Sequence, residues 1–193
     1  GQYTVPTNRL YPYQWNWDSA FTALGIWHFN NWRAWLEIMS LLDGQWQDGM
    51  IPHIVFRHND PDYFPGPAIW DTNTEPPTSG HSQPPVLASI IWRFVQMGTD
   101  YDKRKAIEVF PKLMAYHRWF SNARDPNNRG IISIIHPWES GRDNCPDWDI
   151  GMQNIVIPDN LERYTRRDTS HVDSNQRPTR DQYDRFITIV NFG

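Results

Sequence analysis

The chain has 193 residues and a formal net charge of −4, which suits one ordinary domain and gives no reason to expect nucleic acid or an anionic membrane as a partner. Because no apolar run is long enough to span a bilayer and no secretory signal opens the chain, we expect no membrane partner. The one cysteine, Cys145, excludes an intramolecular disulfide framework and fits a reducing compartment, so we expect a cytoplasmic protein.

Apolar residues at helical spacing predict two helices near the start of the chain. The first covers residues 18–29, with Asp18 or Ser19 as its N-cap. After the break Asn30-Asn31, the second covers residues 32–42. These two helices are expected to form an antiparallel hairpin.

A second helical hairpin is predicted further along the chain. Pro84-Pro85 indicates a helix start, because proline fits the first turn, and this helix should continue to Gly98. Asp102 is expected to cap the next helix, which Pro111 should kink or split. The predicted buried face of that helix comprises Ile107, Phe110, Leu113, Met114, His117 and Phe120. The stripe that we assign wholly to the core comprises Ile90, Phe94, Phe110 and Leu113.

A last helix is predicted to begin at Thr179, to contain Tyr183 and Phe186, and to stop at Gly193. Two long connections, residues 45–82 and 123–178, far exceed the ~4–6 residues usual between packed elements. We find no convincing strand repeat and no internal sequence repeat. Helix pairs alternating with long loops on one side indicate an all-α toroid of helical hairpins, with its loops collected at one rim.

The most informative segment covers residues 136–149, which combine carboxylates, two indoles and a glycine turn. Ordinary loops are polar and rarely contain two tryptophans, so this composition indicates a partly buried pocket lining. Tryptophan stacks on the apolar faces of sugar rings, and Asp, Glu and Asn bond their hydroxyls, which favours a carbohydrate ligand. The plainer alternative is a Trp-rich hairpin that fills a core, with Asp143 as a turn or cap residue.

Four motifs carry a family resemblance: YPYQWNWDSAF at 11–21, QDGMIPH at 47–53, SQPP at 82–85 and WESGRDN at 138–144. Together they resemble glycoside hydrolase family 63, and within it the bacterial members that act on mannosylglycerate and glucosylglycerate. The resemblance covers essentially the whole chain, in the right order. It implies an (α/α)6 barrel whose rim pocket cleaves an α-glycosidic bond with inversion.

By this resemblance, Asp143 is the general acid that protonates the leaving oxygen. Glu139 is the rival carboxylate in the same loop, but the family's acid follows the Ser-Gly-x pattern found at residues 140–142, so Glu139 is expected to orient the loop. Burial beside indoles raises the pKa of a carboxyl, as a general acid requires. The adjacent cation of Arg142 is expected to lower the pKa of Asp143.

The resemblance also implies the residues that bind substrate. Trp15 stacks on the sugar and Asp18 accepts hydrogen bonds from its hydroxyls. Arg177 and Tyr183 lie where relatives recognise glycerate, and a guanidinium suits a carboxylate because it can form two parallel hydrogen bonds. The remaining sugar-wall residues are Tyr11, His53, Tyr63, Gln83, Trp138 and Gly141.

Several of these residues have plainer alternatives. Asp18 would simply cap the first helix, and Arg177, before Pro178, would be a solvated surface residue. His53 is expected to be a hydrogen-bonded structural residue behind the sugar wall. Gln83 would cap a helix without touching sugar.

We expect no metal and no cofactor. The seven histidines lack a paired ligand spacing, and one cysteine cannot make a thiolate site. The segment 125–130 superficially resembles a calcium loop, but Pro126 and the absence of a closing Glu indicate a plain turn. No glycine-rich phosphate loop occurs either.

The implied barrel needs more helices than the sequence predicts, and the family's general base lies after Gly193. We therefore expect residues 1–193 to be the N-terminal portion of a single catalytic domain, with the C-terminal remainder of the barrel as partner. Inverting glycosidases place their two carboxyls ~6.5–9.5 Å apart with a water between them, so the acid side alone is chemically incomplete. The sequence leaves the oligomeric state open, and a homo-oligomer is one alternative.

The leading function is an inverting α-glycosidase that hydrolyses a small α-glycoside such as glucosylglycerate or mannosylglycerate. A trehalase-like hydrolase stays open, as does an inverting phosphorylase, in which phosphate replaces the activated water. A different class is a non-catalytic sugar-binding half-domain. The sequence does not distinguish glucose from mannose.

Overall fold

The computed structural model describes residues 2–170 and 172–190, so the predicted end of the last helix at Gly193 lies outside the described residues. Two short strands, β1 (Gln14–Trp15) and β2 (Ile54–Val55), pair antiparallel. The α-helices are α1 (Asn16–Trp27), α2 (Asn31–Leu42), α3 (Pro67–Trp70), α4 (Leu87–Met97), α5 (Asp100–Ala123), α6 (Asp149–Met152) and α7 (Arg180–Thr188). The structure is therefore mainly helical, as the sequence predicts.

Both predicted hairpins are confirmed. Helix α1 packs against α2 and α4 packs against α5, and the two pairs join through contacts of α1 with α4 and of α2 with α5. The largest fully buried side chains of the shared core include Trp35, Ile38, Leu41, Phe94 and Tyr116. Burying one large apolar side chain contributes about 1.5–3 kcal/mol, so this shared interior is the main source of the scaffold's stability.

The start of α1 differs from the prediction. The helix begins at Asn16, because the chain passes directly from β1 into the helix, and its N-cap residue is Trp15 with an extended backbone. Asp18 therefore lies inside the first turn and is not the N-cap, and its carboxylate suits the positive end of the helix dipole. Ser19 is not a cap either, since its buried hydroxyl donates to Glu37 Oε1 at 2.7 Å.

Helix α4 begins at Leu87, later than Pro84-Pro85, because the preceding turn is closed by the Val86 amide donating to the Pro84 carbonyl. Helix α5 has Thr99 as N-cap, and Asp102 completes a capping box instead of being the cap itself. The Asp102 carboxylate also accepts the indole N–H groups of two core tryptophans, each at 2.9 Å. It therefore joins the first turn of α5 to the first hairpin.

The structure differs from two further expectations for α5, a split at Pro111 and the composition of the buried face. Pro111 does not split the helix, since proline removes only one backbone donor and the turns on both sides are held by packing. The buried face is Val109, Leu113, Tyr116 and Trp119. Phe110 and Ile107 are 58% and 74% exposed, and His117 is exposed as well. The helix is oriented so that the side chains of Tyr116 and Trp119 point into the core instead.

Candidate active site

A cavity of about 300 Å³ opens where the N-terminal segment, both long connections and α7 meet. All residues that the sequence analysis assigned to catalysis or substrate binding line this one cavity. They are Tyr11, Trp15, Asp18, His53, Tyr63, Gln83, Trp138, Gly141, Asp143, Arg177 and Tyr183. The structure therefore brings together residues from nearly the whole length of the chain.

The wall that contains Trp15 is rigid because the strand pair holds it. Trp15 lies opposite Ile54 in the β1–β2 register, and the Asn16 amide donates to the His53 carbonyl at 3.1 Å. The Trp15 indole is almost completely buried and meets the rings of Tyr11 and Tyr63 edge-on, at centroid distances of 5.3 and 5.9 Å. An aromatic wall of this kind suits one face of a sugar ring.

His53 is a hydrogen-bonded structural residue, as predicted. Its Nδ1 lies 3.0 Å from the Ser79 hydroxyl, and burial lowers the pKa of the imidazole well below its ordinary value. Gln83 does cap a helix, but its Oε1 accepts the Trp17 amide of α1 at 3.1 Å instead of capping the helix that follows it. Both residues also line the cavity, so the structural and the binding interpretation are compatible.

The acid loop, which we define as residues 135–145, contains a 3-10 turn over Pro137–Ser140 followed by Gly141. Gly141 has φ +66°, and a Cβ at this position would lie 2.5 Å from the Trp17 indole. A side chain here is therefore excluded both by backbone strain and by contact. Sequence analysis missed Trp17 as a lining residue, although it stands inside the first motif beside Trp15.

Glu139 is buried at the start of the acid loop and forms an ion pair with Arg124, with Nη2–Oε1 at 2.7 Å. Its carboxylate also accepts the backbone amides of Ser82 at 3.3 Å and of Ile135 at 3.2 Å. These contacts join the end of α5, the Ser82–Gln83 segment and the acid loop. The prediction that Glu139 orients the loop is confirmed.

Asp143 is half-buried at the other end of the acid loop and faces the cavity. Burial raises the pKa of this carboxyl, and the charge of Asp168 raises it further. Its own backbone N–H and the Arg177 guanidinium act in the opposite direction and lower the pKa. The net result is a raised pKa, which is what a proton donor needs near neutral pH.

The predicted influence of Arg142 on Asp143 is wrong. The Arg142 side chain is exposed and forms an ion pair with Asp147, while its Nη2 also lies 3.3 Å from Cys145 Sγ. It is therefore held on the outside of the loop, where water screens its charge. The cation that does act on Asp143 is Arg177, from the opposite wall.

Arg177 is not a solvated surface residue, because its guanidinium lines the cavity and its Nη2 donates to the Tyr11 hydroxyl at 3.4 Å. Nearby, the Arg166 guanidinium stacks 4.4 Å over the Tyr183 ring and pairs with Asp168. Sequence analysis missed Asp168, which lines the cavity, because residues 153–178 have neither helical spacing nor a family motif. The lining thus contains both a cation and an additional carboxylate.

The segment 125–130 forms a plain turn, as predicted. Both oxygens of Asp125 accept backbone amides, from Arg129 at 2.9 Å and from Gly130 at 2.7 Å. Across residues 2–170 and 172–190, no group of three or more metal-ligating side chains is placed to hold an ion. In the same ranges, no helix is both long and apolar enough to cross a membrane.

Residues 11–193 match the model of the family described as mannosylglycerate hydrolase MGH1-like glycoside hydrolase domain. The chain belongs to this family. It is 48% identical to a mannosylglycerate hydrolase of Thermus thermophilus, over 98% of the chain and 47% of that protein. It is 41% identical to the glucosylglycerate hydrolase of Mycolicibacterium hassiacum, over 98% of the chain and 46% of that protein. The resemblance to glycoside hydrolase family 63 is therefore confirmed.

Among solved structures, a family 63 mannosylglycerate hydrolase from Thermus thermophilus in complex with Tris superposes with a TM-score of 0.94 at 46% identity. The match covers 100% of this chain and 46% of that chain. A further structure of the same enzyme holds Tris and D-glycerate and gives a TM-score of 0.93. These matches confirm the fold class, the N-terminal part of an (α/α)6 barrel. The chain spans about half the length of the curated relatives it matches.

Proposed function

We propose that this chain contributes the acid side of an inverting α-glycosidase that hydrolyses mannosylglycerate or glucosylglycerate. The observation that carries the proposal is the composition of the cavity wall. A half-buried carboxyl with a raised pKa, Asp143, lies in the same cavity as the sugar-wall pair Trp15 and Asp18 and the guanidinium of Arg177. Proton donor, sugar platform and anion receptor are thus combined in about 300 Å³.

In this mechanism Asp143 donates its proton to the glycosidic oxygen as the bond to the anomeric carbon breaks. A water molecule, deprotonated by a second carboxylate, attacks that carbon from the opposite face of the ring, and the released sugar has inverted configuration. Burial raises the pKa of Asp143 and so favours the protonated form, which is the form that can donate to the leaving oxygen. By family resemblance the second carboxylate lies beyond the part of the barrel described here.

Substrate orientation follows from the two sides of the cavity. Trp15 packs against the apolar face of the sugar, and Asp18, in the first turn of α1, accepts hydrogen bonds from its hydroxyls. Burial raises the pKa of Asp18. Arg177 and Tyr183 hold the glycerate, because a guanidinium can bind its carboxylate through two parallel hydrogen bonds.

We propose that the remainder of the barrel completes this domain and is the main partner of the chain. Relatives of about twice this length support that proposal. So does the exposed run Ile131, Ile132, Ile134 and Ile135, which ends at the first residue of the acid loop. Apolar side chains in such a run are usually covered by another part of the protein. We further propose that the enzyme works in the cytoplasm, where the free thiol of Cys145 stays reduced.

Proton NMR of the released sugar tests the function. A polypeptide that contains this chain and spans the length of its relatives is incubated with mannosylglycerate and with glucosylglycerate, with and without phosphate. Rapid release of free β-sugar without phosphate supports an inverting hydrolase. Product formed only with phosphate would establish a phosphorylase, turnover of trehalose alone would indicate a trehalase-like enzyme, and sugar binding without any turnover would establish a binding domain.

A further inference from the structure

His136 is buried where the acid loop meets helix α7, and its imidazole bonds the main chain of both. Its Nδ1 accepts the amide of Trp138 at 3.1 Å, which caps the 3-10 turn Pro137–Ser140. Its Nε2 lies 3.0 Å from the carbonyl oxygen of Phe186, 50 positions along the chain. One side chain therefore connects the loop that contains Asp143 to the helix that contains Tyr183.

The two partners define which nitrogen carries the proton. A backbone amide can only donate, so Nδ1 must be unprotonated, and a carbonyl oxygen can only accept, so Nε2 must carry the hydrogen. The Phe186 carbonyl lies in the last turn of α7 and also accepts the Ile189 amide at 3.2 Å, so the imidazole N–H is a second donor to this oxygen. The neutral Nε2–H form is therefore the only one that makes both bonds.

The surroundings of His136 keep it in that form. The ring is 1% exposed and packs against the rings of His81, Trp138 and Phe186 at centroid distances of 4.6, 4.5 and 5.8 Å. Burial is the main cause that lowers the pKa of His136 to about 3. The imidazole thus stays neutral across the physiological range and cannot take part in catalysis as an acid.

We propose that His136 is a positioning residue, which fixes the acid loop, and with it Asp143, against the helix that contains Tyr183. This inference rests on the proposed glycosidase function, in which Asp143 must reach the oxygen that joins the sugar to the glycerate held by Tyr183 and Arg177. A displacement of about 1 Å in a reacting group can cost roughly 100-fold in rate. A single buried bridge between the two sides of the cavity therefore affects catalysis without contact with substrate.

Two substitutions separate the two bonds of His136. In His136→Asn, the amide oxygen can still cap Trp138, because Asn is a favoured N-cap residue, but the side chain is too short to reach Phe186. In His136→Gln, the longer amide can donate to the Phe186 carbonyl, while the cap is weakened. The control is His58→Asn, an exposed histidine outside this bridge.

In the full-length protein we expect His136→Asn to lower kcat roughly 10- to 100-fold with a smaller change in KM. The alkaline limb of its pH–rate profile should also move to lower pH, because a displaced Asp143 becomes more hydrated. His136→Gln should recover part of kcat, and His58→Asn should match wild type. An Asn variant with a lower Tm but wild-type kcat and pH profile would reduce His136 to a purely structural residue and overturn the proposal.

A measurement on the wild-type protein separates this inference from the proposed function. In ¹⁵N-histidine NMR, Nδ1 of His136 should be unprotonated and Nε2 protonated between about pH 5 and about pH 8. The Trp138 amide should also exchange slowly with solvent. A protonated Nδ1 or a rapidly exchanging Trp138 amide would refute the bridge, even if the variants fail to fold. Lack of hydrolysis by wild type, with the NMR result as expected, would refute the function and leave the bridge intact.

Discussion

The two ends of the acid loop each hold a carboxylate, and the two carboxylates lie in opposite environments. At the base, residues 135–140, Glu139 is neutralised by Arg124 and accepts two backbone amides from separate segments. At the tip, residues 141–145, Asp143 faces the cavity, and burial raises its pKa. The base is thus a closed network of satisfied groups, and the tip leaves its carboxyl facing the space where substrate would bind.

This difference shows how one short loop can combine an anchored main chain with a carboxyl that faces a cavity. The base anchors the main chain to α5 and to the Ser82–Gln83 segment, whereas the hydrogen bonds of the tip are local and involve Arg142. A buried carboxyl that accepts few hydrogen bonds has a higher pKa and keeps its proton to higher pH than one surrounded by donors, as a general acid requires. The loop therefore holds one carboxylate in a bonded network and leaves the other at the cavity, although their side chains are almost identical.

The largest effect is expected for Asp143→Asn. The amide cannot donate a catalytic proton, so we expect kcat on mannosylglycerate or glucosylglycerate to fall roughly 10²–10⁴-fold, while substrate binding is retained. Steady-state kinetics and calorimetric titration measure the two effects. The control is Asp147→Asn, an exposed residue of the same region that pairs with Arg142. Equal activity of Asp143→Asn and wild type would remove Asp143 from the mechanism.

At the base of the loop, Glu139→Gln should mainly reduce stability. The substitution leaves the buried Arg124 guanidinium without a counter-charge, and breaking a buried ion pair typically costs about 3–5 kcal/mol. Denaturant unfolding of the full-length protein should detect this loss. Glu108→Gln removes an exposed ion pair with Lys105 and should change the free energy of unfolding by less than about 1 kcal/mol. A similar, small effect of both substitutions would contradict the anchoring role.

Features that depend on local sequence patterns were predicted, and features that depend on tertiary contacts were not. The hairpins follow from local apolar spacing, and most of the predicted cavity residues follow from the four motifs, while Tyr63, Arg177 and Tyr183 lie outside them. The buried face of α5 was misassigned because Phe110 and Val109 are adjacent, and only the position of the partner helices decides which one turns inward. Asp168 was missed because its place in the cavity depends on the pairing with Arg166 and on no local pattern.

On the opposite wall of the cavity, Arg177→Met should weaken recognition of the acidic aglycone. Hydrogen bonds to charged groups contribute about 1.5–3 kcal/mol, so we expect KM for the glycerate-containing substrate to rise roughly 10- to 100-fold. A neutral glycoside, such as a glycerol derivative of the same sugar, serves as the matched substrate and should be affected much less. If both substrates lose the same affinity, Arg177 does not read the carboxylate.

The smallest expected effect is a pair of opposite shifts in the pH dependence of activity, both caused by charges near Asp143. The charge of Asp168 raises the pKa of Asp143, so Asp168→Asn should lower this pKa, and the released Arg166 cation acts in the same direction. Because a general acid works only while protonated, activity is lost as pH rises through the pKa of Asp143. The alkaline limb of the kcat/KM profile should therefore move to lower pH in Asp168→Asn.

In Arg177→Met the alkaline limb should move to higher pH, because a cation that lowers the pKa of Asp143 is removed. Asp159→Asn, at an exposed position, should leave the limb unchanged. Shifts of the same sign in Asp168→Asn and Arg177→Met would show that the alkaline limb does not report on Asp143.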